Sequence, residues 1–155
     1  MNSIFISTGT NLGNKIQNLE KAKLILAESL ELLDESQIYE SSAVDFLDQP
    51  DFYNQVLEFK IPDEISKESL MINILEMEKK LGRNRTIPKG PRIIDIDILF
   101  WGHETYHSET LMIPHPRLFE RSFIVLPLSE LSGFKLLSEK FHFNFNFQNS
   151  AKPLS

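Results

Sequence analysis

Asp95-Ile96-Asp97 is the strongest chemical signal in the sequence. On a β-strand, side chains two apart share a face, so both carboxylates would project together, roughly 6–7 Å apart at their Cα atoms. Ile94, Ile96, Ile98 and Phe100 would then point the other way, into a core. Adjacent carboxylates repel unless something positive lies between them. With oxygen ligands alone the fitting ion is Mg²⁺, which keeps waters and shares a substrate phosphate. The plain alternative is two solvated acids on a half-exposed strand. The residues just upstream favour a site: from 79 to 94 there are six basic side chains (Lys79, Lys80, Arg83, Arg85, Lys89, Arg92) and no acidic one. A basic run leading into paired carboxylates points to a polyanion handled with metal.

Other candidates are more ambiguous. Glu78 falls at helical spacing with Ile74 and Leu81, on or beside a face meant for burial, and its ordinary alternative is a border glutamate reaching water. Arg83 and Arg85 follow Gly82, which reads as a helix end, and would be either solvated or aimed at an anion. His115 is boxed by Pro114 and Pro116 and is either a turn former or a phosphate contact. The turn-rich stretch 9–15 fails as a phosphate loop, because its glycine spacing is wrong and no Ser or Thr follows Lys15. It fails as a dinucleotide fingerprint for want of glycines. The four histidines show no zinc spacing, and the absence of cysteine excludes disulfides, thiolate metal sites and a thiol nucleophile.

The elements that must position these groups can be read from periodicity. Residues 3–8 form a first strand, and Ile16, Leu19, Ala22, Leu26 and Leu30 recur at helical spacing after the turn. Residues 37–41 read as a short strand, 42–51 as an irregular loop and 52–61 as an alternating strand. A second helix covers 65–81 and ends at Gly82. Residues 93–101 are β-branched and apolar, another strand, and 118–131 begin as a helix that Pro127 interrupts. This order predicts an α+β, ferredoxin-like layered domain with a mainly antiparallel sheet and helices packed on it. Length and composition agree: 155 residues, 25% charged and 41% hydrophobic, suit one soluble domain over 1–155. The net charge of −6 argues against general nucleic-acid binding. No signal peptide and no apolar run of about 18 residues is present, so the expectation is a cytoplasmic protein with no membrane partner.

Five segments, in order, resemble one family. Gly90-Pro91-Arg92-Ile93-Ile94-Asp95-Ile96-Asp97-Ile98-Leu99 resembles the G-P-R-x-x-D-[LI]-D-[IL]-[LM] signature of the 6-hydroxymethyl-7,8-dihydropterin pyrophosphokinases. Gly9-Thr10-Asn11-Leu12-Gly13 resembles that family's G-[ST]-N-[LM]-G, and Gln49-Pro50-Asp51-Phe52-Tyr53-Asn54 its Q-x-x-[FY]-x-N. Glu78-Lys79-Lys80-Leu81-Gly82-Arg83-Asn84-Arg85 is similar to E-x-x-[LQ]-G-R-x-R. Pro114-His115 through Arg121-Ser122-Phe123 and Pro127-Leu128 is similar to P-H-x-x-[ML]-x-x-R-x-F…P-L. The likeness spans residues 3–131, and 132–155 form a C-terminal extension without a family motif.

The resemblance implies transfer of a diphosphate from ATP to the hydroxymethyl group of the pterin, leaving AMP, in folate synthesis. It implies that Asp95 and Asp97 hold two Mg²⁺ ions and that Glu78, Arg83, Arg85, Arg92, Ile98, His115 and Arg121 line the ATP site. Arg83 and Arg92 would be the catalytic pair. Gly9, Ser41, Ala43, Val44, Phe52, Asn54 and Phe123 would form the pterin pocket, with Phe52 and Phe123 sandwiching the ring and Asn54 reading its hydrogen-bonding edge. The partners would be these two small molecules, and the chain would act as a monomer. A non-catalytic nucleotide-binding module on the same fold is the alternative reading. The stretch 83–92 is expected to be mobile when empty and to close over both substrates. The alternation of Phe141, Phe143, Phe145 and Phe147 predicts a strand with one buried face, laid on its own core or paired with a second chain.

Overall fold

In the computed structural model, which describes residues 2–43, 48–83 and 91–154, the chain opens with β1 (Ser3–Thr10). Helix α1 (Lys15–Ala27) starts where Asn14 accepts a hydrogen bond from the Gln17 amide at 3.1 Å. Strands β2 (Leu32–Glu35) and β3 (Tyr39–Ser41) then run in succession along one edge of β4 (Phe52–Lys60). Helix α2 (Lys67–Lys80), capped by Ser66, leads back to β5 (Asp95–Trp101), which pairs with the free side of β1. The sheet order is β5-β1-β4-β3, with every pair antiparallel and β2 also on β4. This is the ferredoxin-like arrangement, and it places β1 and β5, which carry the chemistry, side by side.

Both faces of the sheet are covered. On one, Ile4, Ile6, Leu57, Phe59, Ile96 and Ile98 pack beneath α1 and α2. On the other, Phe5, Val56, Leu99 and Phe100 pack beneath the C-terminal third. That third comprises a hairpin, β6 (Tyr106–His107) and β7 (Met112–Ile113), a 3₁₀ turn Pro116–Glu120, and helices α3 (Ser122–Leu128) and α4 (Phe134–Lys140). A last strand, β8 (Ala151–Pro153), adds to the edge of β3. The second face is apolar only at one end. At the other, its inward positions are Ser7, Gly9, Asn54, Asp95 and Asp97, which line a cavity.

The structure corrects several expectations. Phe100 lies on the same face as the two aspartates, because a bulge interrupts the β1–β5 pairing. Phe5 opposes Phe100 and Ile6 opposes Ile98, leaving Leu99 as the extra residue that shifts the alternation. The helix expected over 118–131 is broken at Arg121, whose backbone is extended. Pro127 does not interrupt α3; it sits in the last turn, with only Leu128 after it in the helix, so the helix ends just past it. No strand forms over 141–147. An Asx turn, Asn144 Oδ1 accepting from the Asn146 amide at 2.8 Å, bends that stretch. Phe141 and Phe143 still cover the chain's own core, 5.1 and 6.0 Å from the Phe100 ring. The terminal strand forms later, at β8.

One buried carboxylate ties the two halves together. Glu58, on the second face of β4, is 3% exposed and accepts bonds from Ser3 Oγ at 2.6 Å, Ser132 Oγ at 3.1 Å and the Gly133 amide at 3.0 Å. A Cβ at Gly133 would lie 2.7 Å from both Glu58 Oε2 and the Phe5 ring. Gly133→Ala should therefore destabilise the protein by about 2–3 kcal/mol through overpacking. Urea denaturation checks this, and a change below about 0.5 kcal/mol would show that the ring and carboxylate yield freely.

Candidate functional site

The end of α2 is built to aim an arginine. Gly82 has φ of +98°, a left-handed conformation, and the Arg83 amide bonds back to the Glu78 carbonyl at 3.0 Å. That Schellman closure turns the chain so that Arg83 faces its own helix and β5. Arg83 Nη1 donates to Glu78 Oε2 at 2.9 Å and to Asp95 Oδ1 at 2.6 Å. Glu78 is buried, at 2% exposure, and the same Oε2 also accepts the Ile96 amide at 2.8 Å. Glu78 thus fastens the β5 backbone as well as the arginine. Among the described residues, Arg83 Nε is buried without an acceptor.

The turn after β1 holds the segment that enters β5. Asn11, 1% exposed, accepts the Arg92 amide on Oδ1 at 2.8 Å, and its own amide donates to the Arg92 carbonyl at 3.1 Å. Its Nδ2 donates to Gln49 Oε1 at 2.8 Å and to the Pro50 carbonyl at 3.0 Å. A single asparagine therefore joins the start of β5 to the loop before β4. From this anchor Arg92 Nη1 reaches Asp95 Oδ2 at 3.3 Å, and its guanidinium stands 5.1 Å from the centre of the Phe52 ring.

Two cavities meet at β5. The smaller, about 180 Å³, is lined by Gly9, Ser41, Phe52, Asn54 and Phe123, five of the residues expected around a pterin. Asn54 Nδ2 donates to Ser41 Oγ at 2.8 Å, and Gly9 gives Asn54 room, since a Cβ there would come within 3.2 Å of Asn54 Oδ1. The larger, about 570 Å³, is lined by Glu78, Ile98, His115 and Arg121, four of those expected around ATP. Asp95, Asp97, Arg121 and Ile124 line both. Arg92 departs from expectation by lining the smaller cavity. Ala43 is buried past the end of β3 but is not in that lining, where Ser42 stands instead. Val44, Arg85 and most of the 83–92 stretch lie outside the described residues.

The electrostatics single out Asp97. Its pKa is pushed up to about 7, first by the Asp95 carboxylate, then by the surrounding protein and by Glu78. Its side chain is nevertheless open to the cleft, so charge repulsion is the cause to rest on. Asp95 shares its charge with Arg83 and Arg92. His115 takes the turn-forming role, Nδ1 accepting from the Arg117 amide at 3.2 Å, while also lining the larger cavity. Desolvation and then Arg121 and Arg117 hold its pKa below the ordinary value.

Two carboxylates on one strand face, one of them repelled by the other, suit a hard divalent cation. Among the described residues no cluster of three or more His, Cys, Asp or Glu could hold a metal unaided. The donor set therefore fits an ion that completes its shell with water and phosphate, as Mg²⁺ does. Sequence reading missed Ser7, Ser42 and Ile124 in the cavity walls. Ser7 had a usable signal, standing two residues before Gly9 on the same face of β1. Gln49 was visible in its motif without a role.

Comparison with known proteins agrees with this geometry. The family model described as 7,8-dihydro-6-hydroxymethylpterin-pyrophosphokinase (HPPK) matches residues 5–133. The chain is 43% identical over 132 residues to the folic acid synthesis protein fol1 of Pneumocystis carinii, covering 84% of this chain and 18% of that one. It is 38% identical over 131 residues to the 2-amino-4-hydroxy-6-hydroxymethyldihydropteridine pyrophosphokinase of Aquifex aeolicus, covering 84% and 81%. In three dimensions it is similar to a Plasmodium falciparum HPPK-DHPS solved with pterin and p-hydroxybenzoate. The TM-score is 0.66 at 17% identity, over 98% of this chain and 47% of that one, a likeness of fold. The chain spans about a fifth of the length of the folic acid synthesis proteins it matches. No helix among the described residues is long and apolar enough to cross a membrane.

Proposed function

The chain belongs to the 7,8-dihydro-6-hydroxymethylpterin-pyrophosphokinase family, and on that premise we propose that it transfers the diphosphate of ATP to the hydroxymethyl group of 6-hydroxymethyl-7,8-dihydropterin. The pterin hydroxyl oxygen attacks the β-phosphorus, the bond from that phosphorus to the oxygen bridging it to the α-phosphate breaks, AMP leaves, and the hydroxyl proton passes to solvent. The observation that carries this reading is the pair of cavities that share Asp95, Asp97 and Arg121 as a common wall. Ligands held in the two would meet at these side chains.

The smaller cavity takes the pterin, with Phe52 and Phe123 against its flat ring, Asn54 on its polar edge, and Gly9 and Ser41 around it; the family resemblance adds Ala43 and Val44. The larger takes ATP, against Glu78, Ile98, His115 and Arg121, and the family resemblance adds Arg85. Asp95 and Asp97 hold two Mg²⁺ ions, which when bound neutralise phosphate charge. Arg83 and Arg92 stabilise the charge that develops as the β-phosphorus parts from its leaving group, a role suited to planar, fixed donors. Catalysis of this kind rests on positioning and charge more than on covalent chemistry. In this reading residues 1–155 act as one monomeric, cytoplasmic domain whose partners are the two substrates.

Incubation with ATP, Mg²⁺ and the reduced pterin alcohol should yield AMP and the pterin diphosphate in equal amounts. Production of ADP would mean ordinary phosphoryl transfer. No turnover, with ATP still bound, would favour a nucleotide-binding module.

A further inference from the structure

Asn149 lies beyond residue 133, where the family match ends, yet it makes three hydrogen bonds around Arg121. Its Oδ1 accepts the Ser122 amide at 2.8 Å and the Ser122 hydroxyl at 2.5 Å, and its Nδ2 donates to the Glu120 carbonyl at 2.9 Å. The backbone at Arg121 is extended, and the Arg121 side chain makes no capping bond to α3. Without Asn149, the first amide of that helix would be left in a nearly buried place, since Ser122 is 1% exposed. The cap thus comes from a residue 27 positions away, and it leaves the Arg121 side chain for the cavities, both of which it lines. Phe123, in the wall of the smaller cavity, follows directly.

The same tail fixes the facing wall. Immediately after Asn149, β8 pairs Ala151 with Ser41 and Pro153 with Tyr39. Ser41 lines the smaller cavity and accepts the amide of Asn54. Residues 149–153 therefore touch two walls of one cavity, the β3 wall through the backbone ladder and the Arg121–Phe123 wall through one side chain. A side chain at position 121 would not reach this amide, because an N-cap residue accepts from the second or third amide of its helix. The acceptor for Ser122 has to come from elsewhere in the chain, and Asn149 supplies it.

We infer that Asn149 is a positioning residue that sets Arg121 and Phe123 relative to the smaller cavity, with the 149–153 tail as the clasp between its walls. The inference rests on the reading of that cavity as the pterin site. Its test uses the full chain and the variants Asn149→Ala and Asn149→Asp. Aspartate keeps the oxygen that accepts from Ser122, exchanges the donor to Glu120 for an acceptor, and adds a negative charge that favours the start of a helix. Amide hydrogen exchange without ligand, a readout that does not depend on function, should quicken at residues 121–123 in Asn149→Ala and stay near the parent rate in Asn149→Asp. Pterin affinity and kcat/KM for the pterin alcohol should fall about tenfold in Asn149→Ala, with a smaller fall for ATP because Arg121 lines both cavities and Phe123 only the smaller, and recover in Asn149→Asp. All rates are compared per folded molecule.

Three results would overturn the inference: unchanged exchange at 121–123, pterin affinity and kcat/KM within twofold of the parent in Asn149→Ala, or equal losses for both substrates. If Asn149→Ala does not fold, Ser122→Ala removes the hydroxyl bond alone, and the same selective loss of pterin affinity, smaller in size, is expected of it. A parent chain that binds no pterin would instead sink the proposed function, and the exchange rates would then decide whether Asn149 orders the segment.

Discussion

Replacing Asp97 with alanine is expected to lower Mg²⁺-dependent AMP formation at least about a thousandfold, roughly 4 kcal/mol of transition-state stabilisation, without loss of stability. The two halves of this expectation have different sources. Asp97 faces the cleft, not a core, and it lies beside another carboxylate that raises its pKa. Removing it ends a like-charge repulsion and leaves no cavity in packed side chains, so thermal melts without metal should match or exceed the parent. Removing one of the two carboxylates proposed to hold the metal, however, would strip the phosphates of a counter-charge. Asp95→Ala makes an instructive contrast, since it also removes a carboxylate that both Arg83 and Arg92 contact. Activity should vanish there with some stability. Turnover of Asp97→Ala within tenfold of the parent, at saturating Mg²⁺, would remove Asp97 from the metal site.

The second large effect concerns the arginines, which the structure separates. Arg92→Ala should slow the chemical step by two or more orders of magnitude, about 3 kcal/mol, while weakening binding of a non-hydrolysable ATP analogue much less. Its guanidinium rests on Phe52 and Asp95, and its backbone is held independently by Asn11, so the fold should tolerate the change. Arg83→Ala should show a comparable loss in rate and, in addition, a loss of about 3 kcal/mol in stability, because buried Glu78 would lose its cationic partner. Single-turnover kinetics beside equilibrium binding and urea denaturation distinguish the two. Equal losses of rate and affinity in Arg92→Ala would make that arginine a ground-state clamp.

Much of this site was legible because its signals are local. Alternation on a strand put Asp95 and Asp97 on one face, and helical spacing put Glu78 at a burial boundary. Both hold. Gly82 as a helix end was equally local, although its consequence, an arginine turned back onto Glu78, depends on where β5 lies. What could not be read was set by distant contacts. The bulge at Leu99 exists because β5 must match β1, and nothing in residues 98–101 announces that Phe100 shares a face with the aspartates. Strand β2 is mostly exposed and lacks alternation, so it forms only because the edge of β4 is there to receive it. The cap from Asn149 and the three bonds to Glu58 likewise join residues far apart in sequence. The aromatic period at 141–147 left its own core and a second chain open as the surface covered; Phe141 and Phe143 cover the chain's own core, and they do so without a ladder.

The wall common to the two cavities makes their occupants energetically inseparable. Asp95, Asp97, Arg121 and Ile124 serve both chambers, so whatever fills one resets the charge and placement of side chains that the other must meet. The free energy of filling both is then not the sum of filling each. Because free energy is independent of path, the factor by which a nucleotide alters the affinity for the pterin must equal the factor by which the pterin alters the affinity for the nucleotide. A substitution at Arg121 that retunes one affinity also resets the reciprocity between them, and selection on one substrate is necessarily felt at the other.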